Sequence, residues 1–105
     1  MTAKVLVTKK SIKEKLMEVM DPEMNLSIVD LGLVYKITIQ KKGNVHILMT
    51  LTSMGCPLFG MIEEDIFVRL TELGLARKQI TIEITFNPPW DLTHLSKRAK
   101  ATLGI

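Results

Sequence analysis

Cysteine is almost missing from this sequence: Cys56 is the single one in 105 residues. A lone thiol closes no internal disulfide, and stapled secreted domains carry paired cysteines, so the fold must rest on an apolar core and the thiol stays free. Long apolar runs are missing as well. No stretch approaches the ~20 residues of a membrane span. Val5-Leu6-Val7 followed by Lys9-Lys10 falls far short of a secretory leader, and the expected compartment is the cytoplasm, with no membrane partner. The chain also lacks a strong charge bias. Its net charge is +3, but the bases are interleaved with eleven acids rather than gathered on a stripe, which disfavours a nucleic-acid-binding module. Apolar residues at 47% and charged residues at 24% match an ordinary globular protein, not a disordered one.

The length suits one domain able to bury a core without staples. Residues 1–10 show no period and are assigned to an N-terminal arm, with the domain running from 11 to 105. Ser11 with Glu14 has the spacing of a capping box, and Ile12, Leu16, Val19 and Met20 recur at helical spacing, so a helix is expected over 12–20. Asp21-Pro22 ends it. Residues 23–33 have no sustained period and read as an ordered loop. Val34–Ile39 alternates with Tyr35, Ile37 and Ile39 on one face, Lys41-Lys42-Gly43-Asn44 supplies a hairpin turn, and Val45–Leu51 alternates again. Leu58, Ile62, Ile66, Leu70 and Leu73 mark a second helix ending near Gly74. Ile80–Phe86 forms the last strand, stopped by Asn87-Pro88-Pro89. Thr93 is placed to cap a final helix carrying Leu95, Ala99 and Leu103.

The order is thus α-β-β-α-β-α. Each strand has one apolar face and each helix one apolar stripe, which predicts an α/β (α+β) two-layer sandwich with helices on one face of a small mixed sheet. The first two strands form an antiparallel hairpin. The second and third, joined through a helix, run parallel.

Cys56 lies between Gly55 and Pro57, where a strand gives way to a helix, and proline suits the first helical position. A thiol beside a helix N-terminus meets unpaired N–H groups and the positive end of the dipole, which favour the reactive thiolate. Gly55 clears space, and Thr52 and Ser53 add hydroxyls to the same loop. Buried free cysteine also serves as a small hydrophobe, and composition alone favours that reading. A metal held by this chain alone is not expected, because structural sites take about four ligands and the cysteine spacings are absent. Asp21 and Glu23 flank Pro22 and can share a cleft, or can be solvated acids of a turn. Asp30 can brace the loop, and Trp90 can pin the last helix. His46 reads as a surface residue of its strand. His94 would be the partner for Cys56 in nucleophilic catalysis, although no spacing links the two.

Four separated runs carry a resemblance: Asp21-Pro22-Glu23, Ile28-Val29-Asp30-Leu31-Gly32-Leu33-Val34-Tyr35, Met49-Thr50-Leu51-Thr52-Ser53-Met54-Gly55-Cys56-Pro57-Leu58, and Phe86-Asn87-Pro88-Pro89-Trp90. In this order they resemble the metal-sulfur cluster biosynthesis family of SufT-like and PaaD-like proteins, over residues from about 11 to 105. The resemblance implies a fold of the iron-sulfur cluster assembly type and a non-enzymatic role in maturing iron-sulfur proteins. It implies a pocket of Cys56, Asp21, Glu23, Thr52 and Ser53, supported by Asp30, Gly55, Pro57 and Trp90. It further implies partners among the assembly machinery and client apoproteins, or a second copy in a homodimer, and no tightly bound cofactor. Cys56 would ligate iron or a cluster transiently, a second chain or partner completing the coordination. PaaD-like relatives carry extra C-terminal cysteines, absent here, and no Gly-rich Lys-Ser/Thr motif of a fused ATPase is present.

Two alternatives stand beside it. A Cys-dependent thioester hydrolase or transferase, or a PaaD-like helper of a metallo-oxygenase, would use the same thiol. A nucleic-acid module would use Lys41 and Lys42 instead.

Overall fold

The computed structural model describes residues 7–22, 25–40, 43–51 and 59–104. Its elements in chain order are α1 (Lys9–Leu16), β1 (Met20–Asp21), β2 (Leu26–Ser27), β3 (Val34–Ile39), β4 (Val45–Met49), α2 (Phe59–Thr71), β5 (Ile80–Ile84) and α3 (Lys97–Leu103). One sheet has the order β3-β4-β5, with β3 antiparallel to β4 and β4 parallel to β5. That is the mixed sheet and crossover expected from the sequence. The first strand pair, β1-β2, forms a separate antiparallel hairpin inside the segment read as a loop. Strands of two residues are too short to display an alternation, so this hairpin leaves no periodic trace.

The core lies on one side of the three-stranded sheet. Val45, Ile47 and Met49 of β4 are buried against Ile12 and Leu16 of α1, the Ile62, Ile66 and Leu70 stripe of α2, and Leu95 and Ala99 near the C-terminus. Each such aliphatic side chain contributes about 1.5–3 kcal/mol by leaving water. On the opposite face, His46 of β4 meets Glu83 of β5 at 2.8 Å, a partly exposed cross-strand pair.

Several features differ from the periodic reading, among them the end of the first helix, which stops at Leu16 so that Met20 opens β1 instead. Helix α1 begins at Lys9, inside the segment assigned to the arm, because Thr8 rather than Ser11 is the N-cap. The Ser11 N–H donates to the Thr8 hydroxyl oxygen at 3.0 Å, and the Thr8 N–H donates to the Ser11 hydroxyl oxygen at 2.9 Å. Ser11 therefore closes the box from its third helical position, and the expected partner Glu14 is exposed. The C-terminal helix is split: Asp91 caps a single 3-10 turn over Leu92–His94, and Ser96 caps α3, so Thr93 is not its N-cap. In β3 a register shift between Val34 and Lys36 inserts one extra residue. The bulge inverts the alternation, so Val34 joins Ile37 and Ile39 against the core. Tyr35 instead donates its hydroxyl hydrogen to the Pro88 carbonyl at 2.8 Å.

Candidate functional site

Of the residues singled out from the sequence, Glu23, Thr52, Ser53, Gly55, Cys56 and Pro57 lie outside the described residues, as do Lys41 and Lys42. Asp21, Asp30, Trp90 and His94 are described.

Three backbone hydrogen bonds stitch the β1-β2 hairpin to the end of β4. The Ile28 N–H donates to the Val19 carbonyl at 2.9 Å, the Leu33 N–H to the Ile28 carbonyl at 2.9 Å, and the Thr50 N–H to the Leu33 carbonyl at 2.8 Å. The hairpin bearing Asp21 is thereby tied, through Ile28 and Leu33, to Thr50 just past the end of β4. Asp21 itself is 3% exposed, and Asn25 at a positive φ of 56° turns the chain back beside it, its N–H donating to the Asp21 carbonyl at 2.8 Å. A carboxylate this buried in a two-residue strand is a costly feature unless it is satisfied, and Asp21 is a partnered group. Thr50 next to the departure point is fully buried, and its hydroxyl has no hydrogen-bond partner among the described residues.

Asp30 ties the loop in which it sits to the start of α3. Its backbone carbonyl accepts from the Ser96 N–H at 2.8 Å, and its carboxylate accepts from the Ser96 hydroxyl at 3.0 Å and from Arg98 at 2.6 Å. The Asp30 N–H is held in turn by the Ser27 hydroxyl oxygen at 3.1 Å. Trp90 pins the same junction, its indole N–H donating to the Leu31 carbonyl at 2.5 Å. Between them Gly32 adopts φ +75°, and a Cβ placed there would lie 2.1 Å from the His94 carbonyl oxygen. Only glycine permits that approach. Gly32 stands in one of the four runs that carry the resemblance, but the sequence assigns it no role of its own.

The His94 ring is occupied locally. Its Nδ1 accepts from the Asp91 N–H at 3.2 Å, and its ring packs 5.6 Å from that of Tyr35. The Asp91 carboxylate accepts from the Thr93 N–H at 2.8 Å and from the Thr93 hydroxyl, the latter bond above all holding its pKa below the ordinary aspartate value, with help from the Thr93 N–H and the nearby His94. Because β4 and β5 run parallel, the chain leaves both at the same end of the sheet, through Thr50 and Leu51 from β4 and through Phe86 to Trp90 from β5. The carboxyl ends of parallel strands are where open α/β sheets place their ligands. Among the described residues no helix is long and apolar enough to cross a membrane, and no three His, Cys, Asp or Glu side chains cluster as a metal site.

Comparison with known proteins places this geometry in context. The family model described as "Iron-sulfur cluster assembly protein" matches residues 9–84, from the start of α1 to the end of β5. The Fe-S protein maturation auxiliary factor YitW of Bacillus subtilis is 43% identical over 97 residues, covering 92% of this chain and 94% of that protein. The Fe-S protein maturation auxiliary factor SufT of Staphylococcus aureus is 39% identical over 87 residues, covering 83% and 98%. A crystal structure of a domain of unknown function from Bacillus anthracis is similar with a TM-score of 0.83 at 37% identity, covering 92% of each chain.

Proposed function

The chain belongs to the iron-sulfur cluster assembly protein family, and from that membership we propose that it is an auxiliary factor in the maturation of iron-sulfur proteins, acting through the Cys56 thiolate. The observation that carries the reading is the stitching of the buried Asp21 hairpin to the end of β4, from which the segment holding Cys56 departs. The names of the relatives from Bacillus subtilis and Staphylococcus aureus point to the same role.

In this reading Cys56 is the sulfur donor, and Asp21, Glu23, Thr52 and Ser53 surround it as oxygen ligands and hydrogen-bonding groups. Soft thiolate selects iron and clusters, whereas carboxylate and hydroxyl oxygens serve to orient, to accept a proton from an incoming thiol, or to fill a coordination position briefly. One chain brings one thiol. A partner protein or second copy completes the coordination, as suits a group that must be released again. The iron or cluster is cargo rather than resident cofactor, so the chain works by binding and handing on, without turnover of its own. Its partners are the assembly machinery and client apoproteins of the cytoplasm.

The test replaces Cys56 with Ala and with Ser in the producing cell. Both variants are expected to accumulate to normal levels with unchanged far-UV circular dichroism, while client iron-sulfur enzymes lose activity. Anaerobic purification followed by iron analysis and absorption spectroscopy should show a Cys56-dependent signal when the partner is co-purified. Full client activity in both variants, with the native gene deleted, would overturn the reading.

A further inference from the structure

A groove of about 560 Å³ opens between α1 and β3, on ground that the Cys56 reading does not use. Lys9, Lys10 and Lys13 of α1 and Lys36 of β3 line it, together with Val29, Val34, Tyr35 and Ile37. All four lysines are exposed, and among the described residues none is in an ion pair and no carboxylate lines the groove. Glu18, just past the end of α1, pairs with Arg69 of α2 at 2.9 Å. Lys15, on the other side of α1 from Lys9 and Lys13, pairs with Glu72 at 3.0 Å.

The apolar part of the lining is as informative as the charge. Four consecutive residues of β3, Val34 to Ile37, contribute to the groove, although alternate residues of a strand face opposite ways. What the groove exposes is therefore the edge of the strand, and among the described residues β3 is an outer strand of the sheet, paired on one side to β4. An edge strand offers backbone N–H and C=O groups to an incoming strand. The bulge at Tyr35 and the charge of Lys36 protect such an edge against uncharged strands, and a ring of lysines repels a second copy of a basic chain. The same features admit an acidic strand. Residues 1–6, Met-Thr-Ala-Lys-Val-Leu, contain no carboxylate, so this chain's own N-terminal residues do not supply the complementary charge.

The geometry points to an extended acidic segment of a partner protein as the occupant: it would pair with the edge of β3, set alternate apolar side chains on Val29, Val34 and Ile37, and present its carboxylates to Lys9, Lys10, Lys13 and Lys36. A nucleic acid would use the lysines alone, leaving the strand edge and the apolar floor without a role.

Fluorescence anisotropy with the full chain and a fluorescein-labelled octapeptide of alternating glutamate and valine tests this. Saturable binding is expected, weakened at least tenfold by the Lys9→Glu/Lys13→Glu/Lys36→Glu variant and at least fivefold by N-methylation of alternate peptide nitrogens. Should the charge-reversed variant fail to fold, the Lys→Gln triple at the same positions is to show at least a threefold loss. Cys56→Ser is expected to bind as wild type, which separates this surface from the proposed maturation site. Equal binding of a lysine–valine octapeptide, no loss in the variants, indifference to N-methylation, or equal displacement by a single-stranded oligonucleotide or an all-glutamate peptide would each overturn the proposal.

Discussion

Ser96 grips Asp30 at two points, its N–H on the Asp30 carbonyl at 2.8 Å and its hydroxyl on the Asp30 carboxylate at 3.0 Å. The same hydroxyl oxygen accepts the Ala99 N–H at 3.0 Å, so one side chain starts α3 and docks it on the β2-β3 connection. Capping and tertiary docking are thus a single event, with Trp90 on Leu31 as a second tether.

Removing Asp30 should therefore loosen the C-terminal third of the chain. Asp30→Ala leaves the Ser96 hydroxyl without its acceptor in a largely buried setting and is expected to cost about 1–3 kcal/mol in urea unfolding. Arg98→Ala is expected to cost less than about 1 kcal/mol, because the Arg98 side chain is 66% exposed and its pairing is solvent-screened. Equal losses in the two variants would show that the ion pair, not the Ser96 clasp, carries the junction.

Two glycines with positive φ should respond very differently to alanine. Gly32→Ala drives a methyl group into the His94 carbonyl and is expected to cost at least about 2 kcal/mol, or to prevent folding. Gly74 has φ +96° but open space around it, so Gly74→Ala is expected to cost about 1 kcal/mol from backbone strain alone. Thermal or urea midpoints of the two variants give the comparison directly.

Thr50→Val replaces a buried hydroxyl, unpartnered among the described residues, with a methyl group of similar shape. The expected result is a gain of about 1 kcal/mol in the unfolding free energy, since an unmet polar group no longer has to leave water. A loss of the same size would mean that the hydroxyl bonds to the 52–58 segment, and would make Thr50 part of the candidate site.

Acid should release the Asp91 cap before the core unfolds. Its pKa is lowered in the folded chain, chiefly by the Thr93 hydroxyl, so its contribution is fully present above the ordinary value of 3.8 and is lost as pH falls through the lower, folded value. Trp90, adjacent in sequence and the single tryptophan, reports the event. Its emission is expected to change below pH 3.8 in the wild type, and Asp91→Asn should remove that step while leaving the global acid transition in place.

Much of the architecture was legible from spacing. The Ile62, Ile66 and Leu70 stripe, the alternation of Val45, Ile47 and Met49, and the order of the long strands each follow from a local period that burial enforces. Asp21 and Trp90 were visible as candidates from their place in the chain, one beside Pro22 and one after Pro88-Pro89, and the cap and hairpin around Asp30 and Asp21 were not. The β3 bulge escaped as well: Tyr35 stands where a strict alternation would bury it, and one inserted residue hands its place to Val34.

The amino-acid order alone determined the core-facing stripes, the mixed sheet and the one thiol on offer, because periods of two and 3.6 residues are properties of the backbone and need no distant partner. Only the tertiary structure decided where α3 begins, why position 32 must be glycine, and that four lysines gather along the edge of β3. Those outcomes depend on groups that meet across long sequence separations, such as Asp30 with Ser96 and Leu31 with Trp90, and a contact between distant residues leaves no pattern in either of their neighbourhoods.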